Sequence, residues 1–171
     1  MIVVPPAPAP PPALHDLRVT DGSAPFGGDG RLLTTVSPNG DGLRDRAVVT
    51  FRLDAAALVR MEVVSPAETS ERRVVLATVA RSFRAGRHRL VWTPPRTTPP
   101  RTYVLRLTVA ARGRSRTYTN APLRIHAPVV RIQGIDAGFT KRSYRPGESA
   151  TLSIGCDARA LTLVPVLGPG D

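Results

Sequence analysis

The run Ser37-Pro38-Asn39-Gly40-Asp41-Gly42-Leu43-Arg44-Asp45 crowds a proline, two glycines and three carboxylate or amide side chains into one short stretch. Neither a helix nor a strand passes through such a segment, because its residues favour positive φ, fixed φ or local side-chain hydrogen bonds. At once after it comes Ala47 to Leu53, where Val49, Phe51 and Leu53 alternate with Val48, Thr50 and Arg52. Period-two alternation predicts a strand with its first face buried. A tight turn delivering a one-sided strand commits this part of the chain to a sheet.

The same period recurs downstream. Leu32 to Val36 reads as a short first strand, and Leu58 to Ser65 places Val59, Met61 and Val63 inward against Arg60 and Glu62. Val74 to Phe83 reads as a longer strand with weaker alternation, and Gly86 marks a turn before His88, Leu90 and Trp92, which share a face. After the proline-rich loop from Thr93 to Arg101, the strand that follows turns Tyr103, Leu105, Leu107 and Val109 inward. Arg112-Gly113-Arg114 is a hairpin tip, and Ser115 to Tyr118 with Leu123 to Ile125 brings the total to about seven strands. Short strands at this spacing predict an all-β, Ig-like Greek-key sandwich over residues 31–126, autonomous and with Phe51, Leu53, Met61, Leu90, Trp92, Tyr103, Leu105 and Leu107 in its core.

The flanks read differently. Residues 1–30 hold Pro5-Pro6-Ala7-Pro8-Ala9-Pro10-Pro11-Pro12 and Gly27-Gly28-Asp29-Gly30, the composition of a disordered Pro/Gly-rich linker stiffened as polyproline II. Ala127-Pro128 is read as a boundary, so residues 129–171 become an incomplete second Ig-like β-domain: strands at Val129 to Ile135, Ala150 to Cys156 and Leu161 to Val166, with a turn at Ser143 to Glu148. Three or four strands do not cover one another's apolar faces and edges, so this tail is expected to be labile and the chain to be a truncated one.

Charge and cysteine content narrow the function classes. The net charge is +11, and residues 31–126 carry eighteen arginines against six acids. Such a balance attracts polyanions. Lys141 is the only lysine, however, and the arginines alternate with apolar residues, so the charge reads first as a set of solvent-facing strand positions. Cys156 is the only cysteine, which excludes an intramolecular disulfide and any multi-thiolate zinc site. No apolar run is long enough to span a bilayer, and the N-terminus lacks the pattern of a signal peptide.

Catalytic constellations are not apparent: His15, His88 and His126 are scattered, no carboxylate pair has a supporting context, and the glycines at 27–30 lack the setting of a phosphate loop. Trp92 and Tyr103 would offer a sugar-stacking platform if exposed, but their phase assigns them to the core. The glycine-rich turn is the one metal candidate. Aligned to a twelve-residue calcium loop, Asn39 falls at position 3, Asp41 at 5, the Leu43 carbonyl at 7 and Asp45 at 9. Ser37 stands at position 1 where an Asp is wanted, and Val48 at position 12 where a bidentate Glu belongs. Any calcium binding is therefore expected to be weak, and no other cofactor is expected; the competing reading is a turn held by its own Asx hydrogen bonds.

Val36 to Asp45, Gly86 to Trp92 and Pro100 to Thr108, in that order and spacing, resemble FlgD-type Ig-like modules of secreted bacterial proteins. Arg101-Thr102 stands where that family usually has a glycine before the tyrosine. The segment from Val129, with Tyr144-Arg145-Pro146-Gly147-Glu148, is similar to the opening of a further bacterial Ig-like domain. The two together resemble the N-terminal part of longer actinobacterial proteins that end in a domain like the β subunit of N,N-dimethylformamidase. The resemblance implies a non-catalytic structural or binding module of an exported or cell-surface protein. Other domains of a longer chain are expected as partners, and the arginine excess adds anionic surface polymers. An accessory fragment of a larger enzyme is the alternative and non-specific polyanion binding the third reading; a cytoplasmic location stays open, and sequence-specific nucleic-acid binding is not expected because neither a recognition helix nor interleaved exposed aromatics are present.

Overall fold

Strands that bury one face and wet the other must stack in pairs of sheets, and the alternation of this chain is resolved in that way. The computed structural model describes residues 12–22, 29–65, 74–120, 126–133, 135–139 and 143–156. Their strands are β1 (Leu14–Thr20), β2 (Leu33–Val36), β3 (Ala47–Leu53), β4 (Ala57–Ser65), β5 (Val74–Phe83), β6 (Gly86–Trp92), β7 (Thr102–Ala111), β8 (Arg114–Tyr118), β9 (Val129–Ile132), β10 (Ile135–Phe139) and β11 (Leu152–Cys156). The described residues contain no helix.

One sheet has the order β1-β3-β6, and the other β2-β9-β7-β4-β5 with β8 on the far edge of β7. Consecutive strands cross between the sheets from β3 to β4, β5 to β6 and β6 to β7, while β3 pairs with β6 and β4 with β7. This interlocking is the Greek key of an Ig-like sandwich. A single core cluster joins the two inner faces: Val49, Phe51, Leu53, Leu90 and Trp92 from one, Val59, Met61, Leu105, Leu107 and Val109 from the other. Phe51 meets Phe83 edge-on across the sheets at 5.5 Å between ring centroids. Every core residue expected from alternation is buried. The weak alternation of β5 also has a cause, since β5 is an edge strand that leaves Val74, Val75 and Leu76 exposed. Arg112 and Gly113 both take positive φ, 50° and 73°, which makes the β7–β8 connection the tight two-residue turn expected.

Two expectations about the flanks are overturned. Residues 14–20, read as linker, form β1, which pairs antiparallel with β3 and buries Leu14, Leu17 and Val19 in the common core. The pairing register shifts between His15 and Arg18, and Asp16 sits at φ 52°. That bulge spaces the buried residues by three and then by two, which breaks the period that reveals a strand. The second correction concerns the boundary at Ala127-Pro128. Val129–Ile132 does not open a new domain: β9 lies between β2 and β7, parallel to the first and antiparallel to the second. Ala127, Val130 and Ile132 are buried, and the Leu105 amide donates to the Pro128 carbonyl at 2.8 Å. The sandwich expected over residues 31–126 is therefore extended at both ends, by β1 and by β9. Beyond β9, β10 and β11 pair with each other as an antiparallel ribbon, and the 143–148 turn forms as expected with Gly147 at φ 80°. The strands expected at Leu123 to Ile125 and Leu161 to Val166 lie outside the described residues, as does the Pro-rich run up to residue 11.

Tyr103 ties the loop before β7 to the core. Its ring packs edge-to-face on Trp92 at 5.7 Å, and its hydroxyl donates to the Pro99 carbonyl at 2.9 Å. A tyrosine near the start of this strand, bonded to backbone a few residues upstream, is the tyrosine corner of Greek-key sandwiches. Burial raises the Tyr103 pKa above the ordinary value of 10.0, with the Arg101 charge opposing. The folded state thus holds the phenol proton more tightly than the unfolded chain. Stability from this group is complete below pH 10 and falls as pH rises from the unfolded value toward the folded one. Tyr103→Phe is expected to cost about 1 kcal/mol at neutral pH through the lost hydrogen bond, and to flatten the alkaline decline when urea melts are compared across that range.

Candidate functional site

The turn between β2 and β3 folds as its composition dictates. Gly40 and Gly42 take φ of 81° and 89°, where a Cβ is strained. A Cβ at Gly40 would in addition overlap the Arg96 guanidinium, which lies against this glycine. Within the turn the Asp45 carboxylate accepts the Gly40 amide at 2.7 Å through one oxygen and the Gly42 amide at 2.8 Å through the other. Asp41 accepts the Leu43 amide at 2.8 Å and the Asn39 side-chain amide at 3.0 Å, and the Asn39 side-chain oxygen accepts the Asp41 amide at 3.0 Å. At the base, the Ser37 amide donates to the Arg44 carbonyl at 2.8 Å.

Of the proposed calcium ligands, the structure therefore brings Asn39, Asp41 and Asp45 into one turn, with every side-chain oxygen of the three already accepting an N–H. A cation would compete with those amides for the same lone pairs. Ser37, the counterpart of position 1, is buried, while Asp41 is exposed and Asn39 and Asp45 are half-buried. No three His, Cys, Asp or Glu side chains converge as a metal would require among the described residues. This donor set fits a turn closed on itself better than a calcium cage. Asp45→Ala is expected to lower stability by about 1 to 3 kcal/mol, because two backbone donors lose a charged acceptor. In calorimetric titration, calcium is expected to bind no more tightly than ~0.1 to 1 mM, weakened further by Asp41→Ala; submicromolar binding would show that the turn is a metal site.

Behind the turn lies a group that alternation does not disclose. Arg44, at φ 54°, folds inward so that its Nε stands 3.3 Å from an Asp21 carboxylate oxygen and its Nη2 3.5 Å from Asp29. The same Nε donates to the Thr35 carbonyl at 3.3 Å, and the Thr35 hydroxyl donates to Asp29. The Asp21 side chain is 0 % exposed and that of Arg44 12 %. One guanidinium thus clamps the end of β1, the segment before β2 and the turn after it. Sequence reasoning missed this because Asp21 and Asp29 sit in stretches that read as linker. Asp21-Gly22 right after a Leu17/Val19 alternation was the available signal.

The other singled-out residues are placed apart. Trp92 and Tyr103 are buried, 5 % and 1 % exposed, so they pack the core and present no platform. His15 pairs with Asp54 at 2.6 Å on the exposed side of the β1–β3 sheet. His88 stacks against Phe83 at 4.6 Å, with its Nε2 2.7 Å from the Arg84 carbonyl. His126 is exposed, its backbone amide held by the Asn120 side chain at 3.0 Å. The three histidines occupy separate elements.

Comparison with protein-family models, with curated proteins and with solved structures finds no match to this chain.

Proposed function

We propose that the chain is a non-catalytic Ig-like module of an exported or cell-surface bacterial protein, serving as a structural and binding element. The observation that carries this reading is where the polar side chains are spent. Asp45, Asp41 and Asn39 cap the amides of their own turn, Arg44, Asp21 and Asp29 join three segments, and Tyr103 fastens a loop. Each of these groups has an architectural partner, which is the economy of a rigid spacer domain. The likeness of Val36 to Asp45, Gly86 to Trp92 and Tyr103 with its strand to FlgD-type modules supports the same reading. No helix among the described residues is long and apolar enough to cross a membrane.

Cell fractionation in the encoding organism, followed with an antibody raised against this chain, tests the proposal. Signal in the medium, or on intact cells and removable by added protease, is expected. Signal confined to the cytosol would overturn the assignment.

A further inference from the structure

The outer face of the β1-β3-β6 sheet carries arginines in cross-strand register. Arg18, Thr50 and Arg89 lie in one row, and Arg52 and Arg87 stand opposite each other in the next. Their inward neighbours Leu17, Val19, Val49, Phe51 and Leu90 are buried, so these side chains project outward from a rigid support. Arg18, Thr50, Arg87 and Arg89 line one surface depression together with Asp16, Phe51 and His88. Arg52 is engaged by Asp54 at 3.3 Å and Asp16 at 3.9 Å. Arg18, Arg87 and Arg89 have no carboxylate within ion-pairing distance among the described residues.

We propose that this face binds a linear phosphodiester polymer that carries no bases, held by Arg18, Arg87 and Arg89. Arg87 and Arg89, two residues apart on one strand, are separated by about 7 Å, and Arg18 stands about 10 Å across the sheet from Arg89. The resulting triangle suits a flexible chain with regularly repeated charges. Arginine forks pair with phosphate oxygens in bidentate fashion and are less tightly hydrated than lysine, which favours phosphate as the recognised group. The rows themselves argue against nucleic acid: apart from His15, whose ring is held by Asp54 at 2.6 Å, the outward positions are filled by Arg, Thr and Val, including Val48 and Val91, and the rings of Phe51 and His88 are packed on the inner side against Phe83, which leaves no free platform on which a base could stack. The inference is independent of the module's cellular address.

The test is binding of a synthetic poly(glycerol phosphate) oligomer to the full chain, followed between about 50 and about 200 mM salt. Arg87→Ser/Arg89→Ser is compared with Arg60→Ser/Arg131→Ser, which removes the same charge from exposed positions on β4 and β9 of the other sheet. Thermal melts check that both variants fold before binding is compared. The first pair is expected to reduce the slope of log affinity against log salt by about 1.4, at about 0.7 per phosphate contact; the second pair is expected to leave it within error. Equal losses in the two variants would mean diffuse attraction by net charge and would overturn the site. Absence of binding, or tighter binding of single-stranded DNA of the same charge, would overturn the ligand.

Discussion

A chain beginning at Gly22 is expected to lose cooperative folding. The deletion removes β1 and with it Leu14, Leu17 and Val19, each of which contributes about 1.5 to 3 kcal/mol by burial. It also strips the hydrogen-bonding edge of β3, whose residues Val48 to Leu53 pair with β1, and it takes Asp21 away from Arg44. Tyr118 loses a contact too, because its hydroxyl accepts the Leu14 amide at 2.7 Å. A loss of this size rivals the whole stability of an ordinary domain, about 5 to 15 kcal/mol. Chemical denaturation followed by tryptophan fluorescence is the direct measurement, since Trp92 lies in the core opposite Tyr103. A sigmoidal transition with the full chain's midpoint would show that β1 is dispensable.

Arg44→Ala is expected to cost about 3 to 5 kcal/mol, the penalty for leaving a buried carboxylate without its counter-charge. Asp21 is the group left behind, at 0 % exposure. The double variant Arg44→Ala/Asp21→Asn removes the stranded charge and is expected to be more stable than Arg44→Ala alone. This non-additivity separates the ion pair from simple loss of side-chain packing. Additive costs in urea denaturation would mean that Arg44 acts through its aliphatic stem and not through Asp21.

The core and the turn were legible from the residues because each rests on local physics. Val49, Phe51 and Leu53, or Tyr103, Leu105 and Leu107, declare a buried face by period alone. Gly40, Gly42 and Asp45 declare a turn because few residues tolerate positive φ or supply a carboxylate to cap nearby backbone amides. The candidate site was legible to the same extent: the sequence names Asn39, Asp41 and Asp45 as neighbours. Whether their oxygens point at a cation or at their own amides depends on backbone angles that spacing leaves undetermined.

Tertiary structure decided the extent of the domain. A bulge at Asp16 cuts the alternation of β1 down to Leu17 and Val19, and its value as a strand comes from the β3 edge it covers. β9 follows a proline and has only four residues, yet parallel pairing with β2 and antiparallel pairing with β7 give it two neighbours that the chain order does not reveal. The Asp21–Arg44 pair has the same origin, since its members are brought together only when β1 and the turn after β2 meet. By itself, the sequence determined the strands, their buried faces and the turn, because those follow from neighbours along the chain; only folding decided which segments complete the sheets, because partners there are chosen by burial and hydrogen bonding between distant residues.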